Sequence, residues 1–240
     1  MGLFFRRIYK HRVVLGFVSL VLAVAITFGV CFFALSKTAA TASRLTVVID
    51  AGHGGIDGGV TGKITKIKES DINLAISRYL QEEFENAGFS VVQTRPTEAG
   101  LYGTTAKGHK KRDMKKRSEI IHAAAPALVI SVHQNFFSLS SSRGAHVFYR
   151  EDSAPSHALA TAIQSQFNEM EECVKKHEPV TGDYFVLNCS DYPSVIVECG
   201  FLSNPEDERL LVTKEYQKKV ASVICTGAVR YLVSGAAGAD

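Results

Sequence analysis

The sequence predicts an α/β fold: a single domain with a largely parallel central sheet flanked by helices. Three observations carry that reading. Apolar runs of strand length (LTVVID, ALVISV and SVIV) show no polar alternation, as expected of strands covered on both faces. Segments with helical spacing of apolar residues lie between them, so strands and helices take turns along the chain. With 240 residues, 46% hydrophobic and 21% charged, the chain can bury one sizeable core but is short for two full domains.

The elements follow in order. The first twelve residues hold Arg6, Arg7, Lys10 and Arg12 with no acid, and Val13 to Leu35 is an uncharged stretch of 23 residues. At helical rise that stretch crosses a hydrocarbon core of ~30 Å. The basic flank predicts a cytoplasmic N-terminus and an extracytoplasmic body. A cleavable signal peptide is the alternative, with Ala40-Thr41-Ala42 as its small-residue site. The stretch exceeds the ~7–15 apolar residues usual in signal peptides, which favours a transmembrane signal anchor. Residues 36–44 are small and polar and read as a linker, 45–233 as the folded domain, and 234–240 as a tail.

Leu45 to Asp50 is the first buried strand. Ile72, Ala75, Ile76, Tyr79 and Leu80 mark one face of a helix opening at Glu69, and Gly88 suits its C-terminal cap. SVVQTR is the next strand, and a helix spans Asp113 to Ala124. ALVISVH and GAHVFY are two further strands. Ser156 caps a helix whose Leu159, Ala162, Ile163 and Phe167 face inward. DYFVL and SVIVE complete the strands. Asn204-Pro205 opens a short helix in cap-then-proline order, and the last helix runs from about Lys214 to Leu232.

Four polar residues stand at the ends of these elements, where an α/β fold gathers its chemistry. His53 follows LTVVIDAG, Glu69 opens a helix, His133 follows ALVISV and Glu198 follows PSVIV. Two imidazoles and a carboxylate make a zinc site with an open position, and a second carboxylate can act as base toward water. Residue chemistry alone leaves open which glutamate is the ligand and which the base. Glu198 is the sharpest anomaly, because a carboxylate between VIV and CGF is costly to bury unless paired, metal-linked or protonated.

Other chemistries fit less well. Glycines flank His53, but a GxGxxG pattern begun at Gly52 puts Asp57 in its sixth position and no GK[ST] follows. No GxSxG element is present, which disfavours a serine hydrolase. A net charge of +3 is too small to argue for nucleic acid. Part of it sits in KGHKKRDMKKR, from Lys107 to Arg117, read equally as a solvated helix face or as an attraction for anionic polymers. Cys173, Cys189, Cys199 and Cys225 show no CxxC spacing, and Cys199 and Cys225 read as buried free thiols. His109, His122, His146, His157 and His177 have no spacing that joins them to the four motifs.

VVIDAGHGGIDGG, KESDINLAISRYL, LVISVHQN and VIVECGFLSNPEDERLL together resemble the zinc-dependent N-acetylmuramoyl-L-alanine amidases of the type 3 class. The resemblance covers roughly Leu45 to Leu232, with all four motifs in the family's order. It implies a zinc-exopeptidase-like domain with His53, Glu69 and His133 on zinc and Glu198 as the catalytic carboxylate. Peptidoglycan is the implied partner, cut between N-acetylmuramic acid and L-alanine. Arg95 and Arg117 flank the presumed cleft, where the family also has arginines, and are candidates to grip a substrate carboxylate. Asn135 is a further substrate-binding candidate. The single span and the segments KKRDMKKRSEII and SSSRGAHVFY are most similar to sporulation- and germination-associated members. Three alternatives stay open: a vegetative wall amidase, a zinc carboxypeptidase acting on wall peptides, and a non-catalytic wall-binding protein of the same fold.

Overall fold

Unbroken runs of valine and isoleucine form the centre of the sheet. The computed structural model describes residues 44–237, and the expected membrane span lies outside the described residues. Six strands, β1 (Thr46–Ala51), β2 (Ser90–Gln93), β3 (Leu128–Asn135), β4 (His146–Tyr149), β5 (Val180–Thr181) and β6 (Ser194–Phe201), make one sheet in the order β2-β1-β3-β6-β4-β5. β2, β1, β3 and β6 are mutually parallel; β4 runs antiparallel to β6 and parallel to β5. The sheet is therefore largely parallel, as the sequence predicts.

Among the described residues six helices cover it: α1 (Glu69–Asn86), α2 (His109–Ala124), α3 (Ala154–Asn168), α4 (Phe185–Asn188), α5 (Pro205–Leu211) and α6 (Lys214–Ala237). On one face Ile49, Ile130 and Val197 pack with Ile76 of α1, Ile163 of α3 and Ile224 of α6. On the other, Val48, Val129 and Ile196 meet Ile121 of α2 and Val186 and Leu187 of α4. Each such side chain contributes about 1.5–3 kcal/mol on full burial, which explains why both faces of the central strands are rich in valine and isoleucine. No described helix is long and apolar enough to cross a membrane.

Several local expectations change. DYFVL is not a strand: its second half is the one-turn helix α4, with Val186 and Leu187 buried and Tyr184 and Phe185 exposed. A run of five residues is too short for periodicity to separate helix from strand. Ser156 is not the cap of α3. That role belongs to Ser153, whose Oγ accepts from the Ser156 amide at 3.3 Å, leaving Pro155 in the tolerant first turn. α2 begins four residues earlier than expected, at His109, and α6 extends five residues beyond Leu232. Gly88 does end α1, in the left-handed region at φ 91°, with its amide on Glu85 O at 3.0 Å. Asn204 caps α5 through the amides of Glu206 and Asp207. The four cysteines of the described residues are free, with Cys199 and Cys225 buried.

Candidate metal centre and active-site cleft

The C-terminal ends of β1, β3 and β6 lie side by side, and the four polar residues gather there. Glu69, the first residue of α1, is 2% exposed and is the hub. Its Oε1 lies 2.9 Å from His133 Nδ1 and 3.3 Å from His53 Nε2. The same oxygen accepts from Asn73 Nδ2 and the Gln134 amide, each at 3.2 Å, and Oε2 accepts from the Val60 amide at 2.9 Å. Burial alone would raise this carboxyl; hydrogen bonds and charge from His133 and His53 hold it well below the usual carboxylate range. Burial pulls the His53 imidazole down, but Glu69 and Asp57 more than offset this and raise it.

His53, Glu69 and His133 each offer one ligand atom, all within 4.8 Å of one another. Two nitrogens and one carboxylate oxygen, already converging and with the carboxylate anchored by backbone amides, fit a metal ion. The approach is close enough to require glycine at two places. A Cβ at Gly52 would lie 2.3 Å from the His133 ring, and one at Gly59 would lie 2.3 Å from Glu69 Oε2. His53 itself sits at φ 62°, a conformation that costs a non-glycine residue strain and persists only when its surroundings hold it.

Glu198 stands in register with His133 on the neighbouring strand, so both project from the same face of the sheet. Its Oε2 is buried and has no hydrogen-bond partner among the described residues. Burial pushes the carboxyl up to about 7; His133 and His53 oppose that rise and Glu69 adds to it. A cleft of about 530 Å³ opens in front of these groups, walled by α2 on one side and the start of α4 on the other.

The two candidate arginines are engaged by the protein's own carbonyls and carboxylates. Arg95 is 1% exposed, and its guanidinium donates to the carbonyls of Ala51, Gly52, Ser70 and Thr97. Arg117 is 2% exposed: Nη1 donates to Asp50 Oδ1 at 2.6 Å and Ala51 O at 2.8 Å, Nε to Asp113 at 2.7 Å, and Nη2 to His53 O at 2.6 Å. Neither presents a free fork to a substrate carboxylate. Together they brace the strained turn at His53 from beneath. Arg117 and Asn135 both line the cleft.

Two groups that sequence reasoning passed over, Asn73 and Gln134, support the site. Asn73 orients Glu69, and its position one helical turn on was the available signal. Gln134 donates to Asn73 Oδ1 at 3.2 Å, closing that network. His146 stands opposite Glu198 on β4 and stacks on His177 with ring centroids 4.0 Å apart, a placement that depends on the antiparallel strand and leaves no sequence signal. His109 packs against Tyr102, His122 Nδ1 lies 2.8 Å from Ser118 O, and His157 packs on Tyr149.

The model of the N-acetylmuramoyl-L-alanine amidase family matches residues 47–230. The germination-specific N-acetylmuramoyl-L-alanine amidase of Bacillus subtilis is 33% identical over 189 residues, covering 77% of this chain and 78% of that protein. The structure of the CwlD amidase of Clostridioides difficile, solved in complex with the GerS lipoprotein, is similar with a TM-score of 0.76 at 36% identity. That match covers 80% of this chain and 100% of the solved one. An N-acetylmuramoyl-L-alanine amidase from Clostridium difficile 630 is similar with a TM-score of 0.71 at 28% identity, covering 80% and 99%.

Proposed function

Because the chain belongs to the N-acetylmuramoyl-L-alanine amidase family and so acts on peptidoglycan, we propose that it is a zinc enzyme of the spore cortex, with His53, Glu69 and His133 as the ligands. The observation that carries the catalytic assignment is Glu198: a buried, unpartnered carboxylate oxygen beside a converging donor set. Three protein ligands leave a position open. Zinc bound there supplies Lewis acidity toward the amide carbonyl and toward water.

The chain's own residues do the rest. Val60, Asn73 and Gln134 hold the Glu69 carboxylate in one orientation toward the two imidazoles. Glu198 takes a proton from the attacking water and returns it to the nitrogen of L-alanine as the amide opens, leaving a carboxyl group on the lactyl side. Burial suits it to both roles, since a group poised near neutrality can accept and then donate. The cortex as target is supported by similarity to the germination-specific relative.

The test is incubation of the full chain, in detergent, with peptidoglycan, with and without a chelator. Mass spectrometry is expected to find new L-alanine amino termini and free lactyl carboxyls, with chelation abolishing release and zinc restoring it. Release of single C-terminal amino acids would instead point to a carboxypeptidase, and no release under either condition to a non-catalytic wall-binding protein.

Anchoring by residues 13–35, with the catalytic domain outside, belongs to the same proposal. The protein is expected to sediment with membranes and to lose its domain to externally added protease. A mature N-terminus at Ser43 would show a cleaved signal instead.

A further inference from the structure

The cleft in front of Glu198 is lined by α2, which packs on β1, and by the start of α4, which packs on β6, and the hydrolysis described above uses neither. At one end α2 presents Lys110 and Met114. Lys110 is exposed and makes no ion pair among the described residues, whereas Lys115 and Lys116 on the same helix both reach Glu119. The charge of Lys110 is felt by Asp57, but that carboxylate lies 2.9 Å from His53 Nδ1. A cation at the mouth of the cleft is therefore left available to a ligand.

At the other end Tyr184 and Phe185 enter the same cleft, 42% and 48% exposed. The Tyr184 ring is held in place: Phe148 packs against it edge-on at 5.7 Å, and a Cβ at Gly182 would meet it at 2.5 Å. The charge of Glu198 is felt by Tyr184, and Asp183 precedes that ring in the chain and lines the same cleft, so this end disfavours carboxylates. It suits an uncharged ring that presents C–H bonds to an aromatic face.

The substrate has the matching asymmetry. Its muramoyl ring is uncharged once the lactyl group is in amide linkage, while its stem peptide carries free carboxylates. Resting on the amidase reading above, we propose that the substrate lies across the cleft in one direction, with a stem-peptide carboxylate on Lys110 and the muramoyl ring against Tyr184 and Phe185. Lys110 thus sets a preference for acidic stems, and Tyr184 sets affinity for the sugar regardless of the stem.

The experiment uses the full chain and two muramoyl-peptide oligosaccharides that differ only in whether the D-glutamate carboxylates are free or amidated. Wild type is expected to favour the free acid in kcat/KM by about two- to five-fold, the range of an exposed ion pair. Lys110→Gln should erase that preference while leaving the amidated substrate unaffected. Tyr184→Ala should raise KM about three- to ten-fold on both substrates, with kcat and the acid preference kept. Tyr184→Leu, which keeps bulk over Gly182, should raise KM in the same way and guards against a packing defect. Equal cutting of both substrates by wild type, a preference that survives in Lys110→Gln, or Tyr184 variants with unchanged KM or an altered preference would each overturn the proposal. If wild type cuts neither substrate, the amidase reading fails, and the orientation fails with it.

Discussion

Glu198→Gln is expected to keep its metal, keep its fold and lose about 10²- to 10⁴-fold in turnover, the usual contribution of a general base. The substitution preserves shape and removes only the proton acceptor. It should cost little stability, because burial already pushes the carboxyl up to about 7 and a neutral amide is easier to bury there. Glu69→Gln is expected to behave differently. Its carboxylate sits among two imidazoles and three donors that all favour negative charge, so an uncharged amide should weaken metal binding. Metal content by elemental analysis, set beside turnover, separates the two. Loss of metal in Glu198→Gln with retention in Glu69→Gln would reverse the roles, and near-normal turnover in Glu198→Gln would remove the mechanism.

Asp50→Ala is expected to lower stability by ~3–5 kcal/mol, the cost of breaking a buried ion pair from one side. The Asp50 carboxylate is 2% exposed and accepts from Arg117, Ser131 and Thr94. Removing it leaves Arg117 buried with Asp113 as its remaining ion-pair partner, and loosens the support beneath His53. Urea unfolding measures the loss as a lower midpoint at similar slope, and a change under ~1 kcal/mol would show the pair to be dispensable. The same group sets an acid dependence. Burial would raise its carboxyl, yet Arg117 and the two hydroxyls hold it down to about 2. A depressed folded-state value means the stabilisation is present above the ordinary range near 4 and is lost as pH falls toward 2. The wild type should therefore lose on the order of 2 kcal/mol across that window from this group, and the variant should not.

The elements legible in the sequence are those whose cause is local or depends only on period. β1, β3 and β6 are apolar runs that no exposed position would tolerate. Gly88 and Asn204-Pro205 mark helix ends through backbone requirements of single residues. The four polar residues stood out because each interrupts or ends such a pattern. Glu198 was anomalous for the property that the fold confirms, a carboxylate oxygen buried without a partner.

What tertiary structure decided depends on partners far apart in the chain. Arg117 meets Asp50 across 67 residues and Arg95 meets Ala51 across 44, so nothing near either arginine shows that it points inward. Val186 and Leu187 form a helix because the Ile196 face of the sheet needs two adjacent residues buried, a demand invisible in five letters of sequence. His146 comes to stand opposite Glu198 through the antiparallel pairing of β4 with β6, a long-range register that the strand's own residues do not reveal. By itself the sequence determined which side chains could do chemistry and which segments had to be buried. Their distances, and the division between groups that face substrate and groups that brace them, came from long-range contacts whose energy exists only in the folded chain.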